Sequence, residues 1–138
     1  MPSGNLATLL SKNQNIKCCI IEMNGNTKPN FDPKLWGPGF WFALHLSALR
    51  FPVNPTAVDK KNYSDFVKSM QYVLPCEGCC KGFKAILEMT KFGAKDLKTR
   101  DAFFAWTVLA HSLVNSKTGK PARNEPDFWK KQYMKLAL

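Results

Sequence analysis

Leu74-Pro75-Cys76-Glu77-Gly78-Cys79-Cys80 sets two thiols three residues apart directly after a proline, and what surrounds it decides between two folds. Pro75 fixes its own φ and drives Leu74 out of the α region, so a helix starts at about Cys76 rather than running through it. Residues three apart on a regular helix have Cβ atoms about 5–6 Å apart, whereas a disulfide wants about 3.8 Å. The pair therefore closes most easily where its first member is still half outside the helix. Unpaired N–H groups and the positive end of the dipole face a helix start, which predicts a lowered pKa for both thiols. A thioredoxin-type fold would set the motif after a β-strand in a βαβ unit, and nothing upstream of Pro75 alternates like a strand. The stretch reads instead as the opening of a helix in an all-α chain.

Three chemistries compete for such a pair: disulfide exchange, half of a zinc site, and inert buried thiols. A structural zinc site needs four ligands, and beyond the pair only Cys80, Cys18, Cys19, His45 and His111 are available, with no second C-x-x-C and no H-x-x-x-H. Redox chemistry is favoured by the general association of this spacing with thiol exchange.

Outward from the motif, helical periodicity runs in both directions. From Pro38, apolar residues at 40, 41, 44, 48 and 51 form a stripe opened by a proline in its first turn and stopped by Pro52 and Pro55. A second helix is predicted over 58–74, with Val58, Tyr63, Phe66, Val67, Met70, Val73 and Leu74 on one broad face. The third runs from the cysteines to about Phe92, turns Cys79, Phe83, Ile86, Leu87 and Thr90 inward, and is ended by Gly93. Thr99 caps the fourth, in which Phe103, Trp106, Thr107, Ala110, His111 and Val114 recur at threes and fours until Asn115. Pro126 opens a short amphipathic fifth helix with Phe128, Trp129, Tyr133 and Leu136. The predicted architecture is a four-helix bundle with a short fifth helix. Bundle cores commonly hold a cofactor between facing helices. Residues 1–34 lack a sustained period and read as a flexible N-terminal arm carrying Cys18 and Cys19, ahead of a single domain over 35–138.

At 138 residues the chain is long enough for one packed core, and 45% apolar residues argue against disorder. No leader peptide and no apolar run near 18 residues are legible, so a soluble protein without a membrane partner is expected. The net charge of +10 is uneven, since residues 91–138 carry +6 from ten basic and four acidic side chains, with Lys117, Lys120 and Arg123 close together. Such a cluster suits phosphates of a cofactor and would also suit nucleic acid. Five cysteines in a chain without a leader favour transient, catalytic disulfides over structural ones. His45 lies one turn beyond Trp41 on the same face, and His111 one turn before Asn115. Aromatic and imidazole groups on two helices, thiols at the start of a third and lysines after the fourth are what a flat, phosphate-bearing redox cofactor requires. The alternative is a zinc-bearing or basic nucleic-acid-binding helical module, against which the ligand spacing and the lack of interleaved basic and aromatic residues both count. A further rival is a bundle that only binds a partner, its cysteines serving as packing.

Taken in order, Gly37-Pro38-Gly39-Phe40-Trp41-Phe42-Ala43-Leu44-His45, Pro75-Cys76-Glu77-Gly78-Cys79, and His111-Ser112-Leu113-Val114-Asn115 followed by Lys117, Lys120, Pro121 and Trp129 resemble the Erv/ALR family of FAD-dependent sulfhydryl oxidases. The resemblance runs from about Leu35 to Tyr133. It implies FAD held in the bundle, with Cys79 as the flavin-facing thiol and Cys76 as the partner that exchanges with incoming thiols. It further implies that Gly37, Trp41, His45, His111, Asn115 and Trp129 contact the cofactor, and that Lys117 and Lys120 address its ribose or pyrophosphate. Ser112 stands where the family has asparagine, and no cysteine follows Pro121, which is similar to the short forms of large DNA viruses. The implied reaction takes two thiols and dioxygen to a disulfide and hydrogen peroxide. Thiol-bearing protein substrates, oxygen and a second copy in a homodimer are the implied partners, nucleic acid is not, and the setting is host cytoplasm or virion. Cys18 and Cys19 are a candidate shuttle pair, and no resident metal is expected.

Overall fold

The computed structural model describes residues 28–138; Cys18 and Cys19 lie outside the described residues. The elements are α1 (Pro33–Arg50), α2 (Ala57–Val73), α3 (Glu77–Thr90), a 3₁₀ turn (Ala94–Leu97), α4 (Arg100–Lys117) and α5 (Pro126–Met134). No strand occurs among the described residues. The four-helix bundle with a short fifth helix is therefore present, with one turn that periodicity could not reveal.

Local chemistry sets the helix ends. Asp32 caps α1 by accepting the Lys34 N–H at 2.9 Å, and Pro33 occupies the first turn. The helix thus begins five residues before Pro38, which sits inside it; the predicted start took the wrong proline as the opener. Thr56 and Asp59 close a reciprocal capping box on α2, the Asp59 N–H donating to Thr56 Oγ1 at 3.1 Å and the Thr56 N–H to Asp59 Oδ2 at 2.8 Å. The Thr56 N–H, and after it the Thr56 hydroxyl, which donates to the same Oδ2 at 2.8 Å, hold the Asp59 carboxyl below its ordinary pKa. Thr99 caps α4 as expected, accepting the Ala102 N–H at 3.1 Å. Helix α3 is ended by Lys91 in the left-handed conformation (φ 49°), where glycine at 93 was expected; Gly93 instead opens the 3₁₀ turn, its N–H donating to Asp96.

Helix α1 packs on α4 and α2 on α3, while α5 lies against α4. The core is built from Leu44, Ala48 and Phe51, Val67 and Met70, Phe83 and Ile86, Leu97, and the α4 residues Phe103, Phe104, Trp106, Val108 and Ala110. Trp106 satisfies its indole N–H on Thr90 Oγ1 at 3.0 Å, and Arg100 Nε donates to the carbonyl of Phe51 at 2.6 Å, tying the end of α1 to the start of α4. The broad apolar face expected of α2 is only partly covered: Val67 and Met70 are buried, but Val58, Phe66 and Val73 remain exposed. An amphipathic stripe fixes which face turns inward but not how much of it a neighbour reaches.

Candidate active site

Three ladders of residues four apart each send at least one member to a single cleft. Residues at that spacing lie one above another on a helix face. On α1 the ladder is Gly37, Trp41 and His45; on α4 it is Thr107, His111 and Asn115; on α5 it is Trp129 and Tyr133. The cleft, about 220 Å³, is lined by His45, Val108, His111, Ser112, Asn115, Pro121, Arg123, Trp129 and Tyr133. Trp41 stacks on His111 with ring centroids 4.4 Å apart and planes within 4° of parallel. Tyr133 lies 5.4 Å from the His45 ring, and the Trp129 indole N–H donates to the Arg123 carbonyl at 2.9 Å.

The two imidazoles are in contact through their nitrogens, His45 Nε2 and His111 Nδ1 being 3.0 Å apart. Burial, then the neighbouring His111, lowers the pKa of His45 to about 3. Burial, then the Lys120 charge, lowers that of His111 to about 4. Both rings are neutral near pH 7. Burial raises the Tyr133 phenol, which stays protonated.

Of the residues singled out in the sequence, His45, His111, Asn115 and Trp129 line the cleft, and Trp41 backs His111. Lys117 and Lys120 are exposed at and beyond the end of α4 and do not line it. Arg123 does, with its guanidinium paired to Glu125 at 3.0 and 3.2 Å and lying 3.4 Å over the Phe128 ring. Gly37 is buried, yet a Cβ built there meets no atom within 4 Å. No other element fills the space beside this glycine, which is therefore open to a bound molecule, although Pro38 directly after it favours a residue without a Cβ. Thr107 and Tyr133 were not singled out for the site, although the 107/111/115 and 129/133 spacings were there to be read; of the basic cluster named in the sequence, Arg123 alone lines the cleft.

Cys76 and Cys79 lie away from this cleft, at the junction of α3 with the start of α1. Cys76 is the N-cap of α3, and its Sγ accepts the Cys79 N–H at 3.3 Å. The segment before α1 is bonded to the same place: the Glu77 N–H donates to Asn30 Oδ1, and the Phe31 N–H to the Pro75 carbonyl, both at 2.7 Å. Cys76, Cys79 and Cys80 are free thiols, and Cys80 Sγ donates to the Leu74 carbonyl at 3.4 Å. The expectation that the helix start lowers both thiol pKa values fails at Cys79. Burial first, then the bond to and charge of Cys76, then Cys80 and Asp32, push that thiol up to about 12. The helix terminus directs the Cys79 N–H to the Cys76 sulfur, leaving Cys79 beside sulfurs and a carboxylate. A reduced pair therefore keeps a proton on Cys79.

Helix α1 links the two regions, since the Asp32 that acts on Cys79 lies thirteen residues before His45, about 20 Å at 1.5 Å per residue. A dithiol centre at the start of α3 and a separate aromatic, imidazole-lined cleft between α1, α4 and α5 define a thiol–disulfide redox protein with a ligand cleft. The profile of the Erv1 / Alr family matches residues 38–134, and the chain belongs to that family. It is 36% identical over 95 residues to a protein of Acanthamoeba polyphaga mimivirus named "Probable FAD-linked sulfhydryl oxidase R368", spanning 69% of this chain and 66% of that one. It is 31% identical over 102 residues to the mitochondrial FAD-linked sulfhydryl oxidase erv1 of Schizosaccharomyces pombe, spanning 73% of this chain and 54% of the relative. Among solved structures, the FAD binding domain of Erv1 from Saccharomyces cerevisiae superposes with a TM-score of 0.67 at 28% identity, covering 75% of this chain and 94% of that one. The chain thus spans about two thirds of the mimivirus relative and about half of the fission yeast one.

Proposed function

We propose that this chain is an FAD-linked thiol oxidase that introduces disulfides into thiol-bearing protein substrates through Cys76 and Cys79. The observation that carries this is the dithiol at the N-cap of α3, reached along α1 from a cleft in which Trp41 stacks on His111. The cleft is smaller than the roughly 300–1,000 Å³ of a whole ligand site, so it would take one end of the dinucleotide. Trp41, His45, His111, Asn115 and Trp129 would hold that end, Gly37 leaves space along α1, and Lys117 and Lys120 supply positive charge outside the cleft. FAD, when bound, accepts two electrons from the dithiol and passes them to dioxygen, giving hydrogen peroxide.

The exchange itself needs only sulfur. A substrate thiolate attacks Cys76 Sγ of the oxidised pair, the Cys76–Cys79 bond breaks, and Cys79 leaves and takes up a proton. The second substrate thiolate then attacks the mixed disulfide at the substrate sulfur, releasing the oxidised substrate and the Cys76 thiolate. Two electrons have moved from substrate to the pair. Cys76 suits the attacked position because it lies outside the helix proper, at the cap.

Gly37→Ala tests the cofactor's course along α1. Alanine in a helix interior is more favourable than glycine by up to about 1 kcal/mol and here meets no other element, but its Cβ crowds the Cδ of Pro38, the next residue in the helix, so gain and crowding offset and the apoprotein's stability should change little. FAD affinity should fall instead. Thermal melting of the apoprotein and flavin titration measure the two effects; a variant with undiminished affinity removes Gly37 from the site.

Cys18 and Cys19 are proposed to deliver electrons from substrate to Cys76. The support is the anchoring of Asn30 at Glu77, since the eleven residues from Cys19 to Asn30 span at most about 40 Å. A Cys18/Cys19 double serine variant should oxidise dithiothreitol normally and a protein dithiol slowly; equal rates on the protein dithiol contradict the role. Residues 35–138 are proposed as the oxidase domain and as a homodimer, the latter supported by Leu35 and Phe42, seven residues apart on α1 and exposed. Sedimentation of the purified chain tests that assembly. No helix among the described residues is long and apolar enough to cross a membrane.

A further inference from the structure

We propose that Thr107 is a positioning residue that fixes the proton positions of both histidines, so that His111 presents a bare Nε2 acceptor to the ligand. The proposal deepens the FAD reading and rests on it for the ligand, but the proton positions belong to the protein alone.

The hydrogen bonds run in one direction. Thr107 is fully buried, and its hydroxyl donates to the Phe104 carbonyl at 2.7 Å, one turn back on α4. A hydroxyl has one proton, so toward His45 it can only accept. His45 Nδ1 stands 3.0 Å from that oxygen and must carry the proton. The His45 ring is 2% exposed, and a neutral ring with a proton on Nδ1 has a bare Nε2. Facing it at 3.0 Å is His111 Nδ1, which therefore donates. His111 is held flat against Trp41, and its remaining nitrogen, Nε2, is left as an acceptor on a ring that lines the cleft. The relay is Phe104 carbonyl, Thr107 hydroxyl, His45, His111, ligand, with each proton pointing back along the relay toward the Phe104 carbonyl.

The consequence is selectivity of sign. An acceptor at this position welcomes an amine or hydroxyl donor and disfavours a phosphate oxygen. The adenosine end of FAD carries donors of both kinds, and its phosphates would be left to the basic residues outside the cleft. Valine at 107 keeps the shape and removes the acceptor. His45 would then move its proton to Nε2, His111 Nδ1 would have to accept, and His111 would present an N–H to the cleft.

Long-range proton–nitrogen correlation spectra of the apoprotein near pH 7 read the tautomers directly, and FAD titration reads the effect. In the wild type, His45 and His111 are both expected with the proton on Nδ1; a proton on Nε2 of His111 overturns the proposal even if Thr107→Val does not fold. Thr107→Val is expected to move both protons to Nε2 and to weaken FAD binding about tenfold. Thr107→Ser is expected to restore both. A Thr107→Val chain with unmoved protons, or with wild-type FAD affinity, also overturns it. Failure of the wild type to bind FAD would sink the oxidase reading while the apoprotein spectra still decide the relay.

Discussion

A Cys79→Ser chain is expected to take up FAD as the wild type does and to oxidise dithiols at least about 10³-fold more slowly. Serine cannot close a disulfide with Cys76, so no oxidised pair exists for a substrate thiolate to attack. Cys80 does not substitute: it lies about 100° round the helix from Cys79, and its thiol is engaged with the Leu74 carbonyl. The fold should not notice the change. The bond that caps α3 uses the backbone N–H of Cys79, which serine retains, and the side chain is only half-buried. Stability should stay within about 0.5 kcal/mol of the wild type. Flavin content of the purified variant and oxygen uptake with excess dithiothreitol measure the two halves of the expectation. Wild-type turnover by this variant would remove Cys79 from the mechanism.

The second large effect is on stability, and it follows from the histidines. Both folded-state pKa values are lowered, to about 3 for His45 and about 4 for His111, against 6.5 in the unfolded chain. Above pH 6.5 neither ring binds a proton in either state, so the neutral pair is fully compatible with folding. As the pH falls through 6.5 the unfolded chain takes up protons that the folded chain refuses, and stability drops until the folded values are reached. At pH 5 the loss from His45 alone is about 2 kcal/mol, 1.5 pH units at 1.36 kcal/mol each; His111, less buried, adds to it. The Asp59 carboxyl contributes in another window, losing its stabilisation only as the pH falls below the ordinary carboxylate range. Urea unfolding of the apoprotein should show the midpoint near pH 5 lowered by about 1 M relative to pH 7. His45→Asn should flatten much of that dependence, and a wild-type midpoint unchanged between the two pH values contradicts the buried neutral pair.

How far the sequence discloses these features depends on whether the physics involved is local. Helix α4 was readable because Thr99 and the spacing of Phe103, Trp106 and Ala110 both act within a few residues. The start of α1 was misplaced because Asp32-Pro33 and Pro38 are equally good local openers, and the longer helix is favoured by contacts made elsewhere, among them the Phe31 N–H on the Pro75 carbonyl. The left-handed Lys91 has no sequence signal, since glycine is the usual occupant of that conformation. At the site, Trp41, His45, His111 and Asn115 were legible as two helix faces, but Thr107 looked like one more inward residue of α4. Its hydroxyl gains meaning only from a ring 62 positions away in the chain. The Cys79 pKa went the other way from the sequence expectation because the helix-start argument leaves out burial, which comes from tertiary packing, and the neighbouring Cys76, Cys80 and Asp32, which all oppose it.

The most direct measurement is anaerobic addition of dithiothreitol to the chain reconstituted with FAD. The account expects one FAD per chain, bleaching of its visible absorption as two electrons arrive through Cys76 and Cys79, and return of the colour when oxygen is admitted. A chain that takes up no FAD, or whose bound FAD keeps its oxidised spectrum under excess dithiol, contradicts it.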